Sequence, residues 1–301
     1  MNTVHGLVPI LATPFLPDGS LDLPGLRRLT AFQLASGVHG VAVLGMASEA
    51  FALTAAERRL ITTTVAEVIA GAVPLVAGVA ATSTVTAVEQ ATEAAAAGAD
   101  AVMVLPPFMV APSPAQLPDF YAAVAAIGPE VMVQDAPGAT GVVMSPQQII
   151  ELSRITGVTS VKVEAPPTAP KVAAVADRID ESGFVVLGGQ NAQFLLDELA
   201  AGAVGSMPAC EIPDLLAPVL ADWQAARYDD ARARFDRLLP LLVYGLQPGL
   251  AWAVHKEVLV RRGLIDHATV RVPARDLDIR SRAGLTAILD RLGITSLTGV
   301  R

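Results

Sequence analysis

The chain has 301 residues, 52% of them hydrophobic and 17% charged, which suits one large α/β domain and excludes a disordered chain. Its net charge of -8 argues against nucleic acid or an anionic membrane surface as the main partner, yet leaves room for one pocket that binds a small anion. The mean hydropathy of +0.51 comes from Ala and Val spread along the chain, without the uninterrupted apolar run of ~20 residues that a membrane helix needs.

The N-terminal stretch Met1-Asn2-Thr3-Val4-His5 has no basic region and soon meets Pro9 and Pro14, so no signal peptide is read there. A soluble, cytoplasmic protein is the expectation. Short runs rich in Val, Ile and Leu predict strands near residues 7–12, 39–45, 73–79, 100–105, 130–135, 158–164, 183–188 and 203–207. Helical patterns fall between them. Asp22 with Pro24 marks one helix start, and the pairs Thr54/Glu57 and Ser145/Gln148 have capping-box spacing. Gly37, Gly98 and Gly202 end helical stretches just before a strand, as a left-handed C-cap would. Beyond about residue 208 the pattern turns helical through 212–262, with Pro213, Pro240 and Pro248 near boundaries, and again near 280–292.

Eight strands alternating with helices predict an α/β fold, a (β/α)8 TIM barrel over 1–210 with a C-terminal helical extension over 211–301. The rival is a doubly wound open sheet, which would want a glycine-rich turn after the first strand. Ala12-Thr13-Pro14-Phe15 is not one. The single cysteine, Cys210, excludes an internal disulfide and reads as a small buried hydrophobe. His5, His39, His255 and His267 show no metal-binding spacing, so neither a metal nor another cofactor is expected.

Lysine is rare here: Lys162, Lys171 and Lys256 are the only three. The last two have polar helical surroundings and read as solvated. Lys162 lies in Val158-Thr159-Ser160-Val161-Lys162-Val163-Glu164, a β-branched run. Residues two apart in a strand share a face, so Lys162 and Glu164 point into the barrel near the strand's C-terminal end, where barrel enzymes carry their active sites. An ammonium there is costly to desolvate, which favours the free amine that attacks a ketone. The competing reading is a buried ion pair that fills the barrel.

Several stretches, in order and at barrel spacing, together resemble the dihydrodipicolinate synthase / N-acetylneuraminate lyase family. They are Ala12-Thr13-Pro14-Phe15, Gly45-Met46-Ala47-Ser48-Glu49 with Leu53-Thr54, Asp135-Ala136-Pro137, Val161-Lys162-Val163-Glu164, and Leu187-Gly188-Gly189. The resemblance implies Schiff-base chemistry at Lys162, a small 2-keto acid as substrate, and a homotetramer. Three departures stand out. The family's Gly-Thr-Thr-Gly-Glu loop has lost both threonines, its two tyrosines fall at Gln134 and Phe108, and Ala139 replaces the arginine of dihydrodipicolinate synthases. Those changes argue against lysine biosynthesis. The Met132-Val133-Gln134-Asp135-Ala136-Pro137 strand, the Ser48-Glu49-x-Phe51-Ala52-Leu53-Thr54 loop and the Lys162-x-Glu164 spacing are similar to 2-keto-3-deoxy-L-arabonate dehydratase-like members.

On this reading the substrate carboxylate meets the backbone N–H groups of Ala47 and Ser48, and Lys162 forms the iminium. Glu164, or a water oriented by Gln134, handles protons. Phe108, Asp135, Gly189, Asn191 and Met207 are the further substrate-binding candidates. A phosphate site at Gly188-Gly189-Gln190-Asn191 is the lesser alternative for that turn. Three activities stay open: a sugar-acid dehydratase, a pyruvate-releasing aldolase, and a barrel that binds a keto acid without turnover.

Overall fold

A computed structural model describes residues 4–179 and 183–297. Met1, Asn2 and Thr3 of the N-terminal stretch lie outside the described residues. In chain order the elements are β1 (Gly6–Leu7), α1 (Leu23–Ala35), β2 (Val41–Val43), α2 (Ala55–Ile69), β3 (Leu75–Val79), α3 (Thr84–Ala96) and β4 (Ala101–Val104). Next come α4 (Leu117–Ala125), β5 (Glu130–Asp135), α5 (Pro137–Thr140), α6 (Pro146–Leu152), β6 (Val158–Val163), α7 (Thr168–Ala176), β7 (Val185–Gly188), α8 (Leu195–Ala200) and β8 (Gly205–Ser206). The last four helices are α9 (Pro213–Gln224), α10 (Tyr228–Tyr244), α11 (Ala251–Arg261) and α12 (Ile279–Leu292).

All strand pairs are parallel, in the order β1-β8-β7-β6-β5-β4-β3-β2. Closure is made just past β1, where Ile10 bridges Ala42 on one side and Ala209 on the other. The fold is therefore a (β/α)8 barrel followed by a C-terminal layer of helices. Its first and last strands are shorter than the sequence predicts. Pro9 has no N–H to give the ladder, so pairing after Leu7 resumes only at Ile10.

Inside the barrel, Val8, Ile10, Ala42, Val76, Met103, Met132, Leu187 and Met207 form one apolar cluster. The alternate strand residues, among them Val131, Val133, Val161 and Val163, face the helices in a second, larger cluster. The capping spacings give helix starts: Asp22 accepts from Gly25, and Thr54 and Ser145 close capping boxes with Glu57 and Gln148. Gly37, Gly98 and Gly202 have φ of 73°, 98° and 100°, the left-handed geometry that ends a helix before a strand.

One boundary differs. Pro240 lies inside α10 instead of at its edge. Its ring and the lost hydrogen bond fall on an exposed face, where water can satisfy the freed carbonyl. No helix among the described residues is long and apolar enough to cross a membrane.

Candidate active site

The site starts from strand periodicity. In β5 and β6, Gln134 stands beside Lys162 in register, and Glu164 follows two residues later on the same face. The Lys162 Nζ lies 3.1 Å from Glu164 Oε1, with both side chains buried. Gln134 Nε2 donates to Glu164 Oε2 at 2.7 Å, so both carboxylate oxygens are engaged. From the turn after β7, Gln190 Nε2 donates to the Glu164 carbonyl at 2.8 Å. Gly189 makes this approach possible, because a Cβ there would stand 2.3 Å from Glu164 Cγ. Any larger residue would push the carboxylate off the lysine.

Lys162 and Glu164 line a cavity of about 200 Å³. Barrel residues Ile10, Met46, Ala47, Gln190, Asn191, Met207 and Ala209 form part of its wall. The rest comes from the helical extension: the turn from Gly245 to Gly249 between α10 and α11, then Ala251, Trp252 and His255. Trp252 donates its indole N–H to the Met46 carbonyl at 2.6 Å and packs edge-to-face on Phe51, pinning α11 to the turn after β2. The His255 Nδ1 lies 2.9 Å from Glu211 Oε1, and both residues are buried. Burial works to raise the Glu211 pKa, but the charge and hydrogen bond of His255 prevail and hold it below the ordinary value.

Sequence reasoning missed this second wall. His255 was weighed only as a metal ligand, and among the described residues no group of three His, Cys, Asp or Glu is placed to hold a metal ion. The available signal was the i, i+3 spacing of Trp252 and His255, which puts both on one helix face.

Of the expected site residues, Lys162, Glu164, Ala47, Asn191 and Met207 surround the cavity, and Gln134 supports Glu164 from the next strand. Others sit differently. Ser48 gives its N–H to the Gly45 carbonyl and its hydroxyl to the Leu11 carbonyl, so its donors are spent on the turn. Ala47, in the first turn of a short 3-10 helix, Met46–Ser48, that follows β2, keeps an N–H outside the turn's own bonding. Asn191 spans Leu242 and the Ala209 N–H with its amide, which orders the cavity edge.

Asp135 is on the helix-facing side of β5, opposite to Gln134, and pairs with Lys171 of α7 at 2.6 Å. Burial raises its pKa against the pull of Lys171. The solvated state expected of Lys171 is thereby corrected, and Asp135, expected to bind substrate, stands in this pair, which joins strand end to helix. Phe108 is half-buried in the loop after β4 and is not among the cavity residues.

Lys256 is also corrected, being fully buried. Its Nζ lies 2.5 Å from Glu49 Oε1, donates to the Thr269 carbonyl at 2.7 Å and sits 4.1 Å over the Phe15 ring. Burial lowers its pKa to about 8, with Glu49 opposing the shift. Arg271 covers the other side: its backbone N–H binds Glu49 and its guanidinium forks onto Glu57. Together they hold the turn that carries Met46 and Ala47.

Comparison with known proteins agrees with this architecture. The profile of the dihydrodipicolinate synthetase family matches residues 3–292. An L-2-keto-3-deoxyarabonate dehydratase of Azospirillum brasilense is 36% identical over 297 residues, covering 96% of this chain and 94% of that one. A 4-hydroxy-tetrahydrodipicolinate synthase of Methanosphaerula palustris is 30% identical over 95% of this chain and 98% of its own. Among solved structures, the dihydrodipicolinate synthase of Rhodopseudomonas palustris superposes with a TM-score of 0.89 at 32% identity, covering 96% and 97% of the two chains. The chain is therefore an enzyme, a lyase, and it belongs to the dihydrodipicolinate synthetase family.

Proposed function

We propose that the enzyme is a Schiff-base-forming dehydratase of a 2-keto-3-deoxy sugar acid. The observation that carries this reading is the Lys162–Glu164 contact of 3.1 Å inside a cavity that opens next to it. The Lys162 amine attacks the C2 carbonyl while its proton passes to the adjacent carboxylate. Loss of water from the carbinolamine leaves an iminium, which draws electrons from C3.

Glu164, held by Gln134 and relieved of its proton, is within reach of C3 on a carbon chain bonded to Nζ. It takes the C3 proton to give an enamine. The enamine nitrogen then pushes its electron pair back, the C4–O bond breaks, and the hydroxyl leaves with a proton as water. Hydrolysis of the conjugated iminium frees Lys162. The departures from the family pattern support this course. Gln134 cannot exchange a proton as a phenol does, and Ala139 offers no charge to a second carboxylate. The Azospirillum brasilense relative, by its name a dehydratase of such an acid, supports it as well.

The second reading, a pyruvate-releasing aldolase, uses the same iminium and is favoured by nothing beyond that shared step. A third, a barrel that binds without turnover, leaves the lysine–carboxylate contact without a use. Product analysis over a panel of 2-keto-3-deoxy acids divides them. Loss of one water from at least one acid is expected. Free pyruvate as the product would overturn the dehydratase reading in favour of the aldolase.

A further inference from the structure

The side of the cavity supplied by the C-terminal extension carries a pair that the chemistry at Lys162 does not use. Glu211 follows β8 and is buried, and its carboxylate faces His255 Nδ1 at 2.9 Å. The carboxylate is held ionised, so Nδ1 bears the proton and donates. Nε2 engages no protein atom among the described residues, and the ring lines the cavity. Most other polar side chains on the wall already have partners, Gln190 among them through the Glu164 carbonyl. Asn191 spans Leu242 and Ala209, Gln247 donates to Tyr244, and the Trp252 N–H is given to Met46. Much of the remaining wall is apolar: Ile10, Met46, Met207, Leu246 and Pro248. A hydroxylated ligand in such a cavity needs a convergent polar partner.

We propose that His255, oriented by Glu211, is a specificity-determining residue that hydrogen-bonds a hydroxyl on the substrate's tail beyond C3. The inference rests on the reading of the enzyme as a Schiff-base lyase of hydroxylated 2-keto acids. A hydroxyl fits the position in either ring state, because it donates to the lone pair of a neutral ring and accepts from an imidazolium. A carboxylate does not fit as well, since Glu211 already places a negative charge behind the ring. Position also assigns the tail to this wall. The substrate's own carboxylate is one bond from C2 and must stay close to Lys162, toward the barrel side at Ala47. The carbons beyond C3 extend away from it.

The ring is held from the front as well as from behind. At Gly245, φ is an ordinary -70°, so alanine suits the backbone. Its Cβ, however, would stand 2.9 Å from His255 Cε1 and 3.1 Å from Asn191 Nδ2. Gly245→Ala therefore displaces the imidazole without deleting it.

The test is borohydride trapping at Lys162, read by intact mass, with two acids. Pyruvate has no carbon beyond C3, and a five-carbon 2-keto-3-deoxy acid has the tail. His255→Asn keeps a donor for Glu211 while removing Nε2. Its ratio of five-carbon to pyruvate trapping rate should fall about tenfold, the scale of one hydrogen bond lost to a substrate hydroxyl. Gly245→Ala should lower the same ratio severalfold, and Glu211→Gln likewise. If wild type traps both acids and the ratio is unchanged in His255→Asn, the inference is overturned while the lyase reading stands. Equal loss for both acids also overturns it, because that marks a structural role. A wild type that traps neither acid overturns the lyase reading and this inference with it.

Discussion

In the proposed reaction Glu164 carries the protons, because it alone touches Lys162, Gln134 and the turn after β7 at once. Glu164→Gln preserves its size and its contact with Gln134 while removing the base. Turnover should fall by ~10²–10⁴-fold, the usual share of general acid–base catalysis, while iminium trapping, in which water can take the amine's proton instead, falls far less. Steady-state kinetics beside trapping on one preparation checks this, and loss of both together would make Glu164 a packing residue.

Glu198 makes a different prediction. It is buried behind Gly188, neither of its oxygens accepts a well-formed hydrogen bond, and burial lifts its pKa to about 7. The unfolded carboxyl titrates near the ordinary value of about 4.5, so between there and pH 7 the folded state binds more protons than the unfolded. Stability therefore falls as pH rises through that window and stays reduced above it. Glu198→Gln should remove this slope, gaining about 3 kcal/mol at pH 8 over its effect at pH 4 if the full shift acts. Urea melts at the two pH values check it.

Lys162 and Glu164 were legible at this scale because a period of two is a property of the strand alone. The outward turn of Asp135 follows from the same period, counted from Gln134. Its role as the partner of Lys171 was not legible, since it depends on where α7 packs.

At the scale of elements, the turn after β2 is held by parts of the chain far from it. Glu49 takes a left-handed φ of 56° there, and its carboxylate is shared by Lys256 of α11 and the Arg271 N–H. Lys256→Met leaves the Glu49 charge buried with one partner fewer. It should cost ~3–5 kcal/mol of stability, the usual penalty for breaking a buried pair. Denaturant unfolding measures the loss, and a change within ±0.5 kcal/mol, typical of an exposed substitution, would show that Lys256 is solvated after all. Helix starts and ends were readable because caps are local chemistry: Thr54, Ser145, Gly98 and Gly202 act on neighbours within a few residues. The burial of Lys256 was not, because its partner is some two hundred residues away in sequence.

At the scale of the whole molecule, the division at residue 210 separates chain segments better than it separates functions. The barrel supplies the amine and the carboxylate, and the extension supplies Trp252, His255 and the Gly245–Gly249 turn. Lys256 and Arg271 tie them again, the first meeting the Glu49 carboxylate and the second forking onto Glu57. A chain ending at residue 210 loses these contacts and should fail to give a cooperatively folded barrel, whereas the full chain should unfold in one transition. Circular dichroism of both on heating checks this.

The proposed chemistry stands on a covalent bond at Lys162, which borohydride reduction in the presence of a 2-keto acid makes permanent and detectable. A mass increase of one reduced substrate, mapped to the peptide carrying Lys162 and absent from a folded Lys162→Ala variant, is the predicted result. An unmodified Lys162 under conditions in which the wild type turns over substrate would contradict the claim.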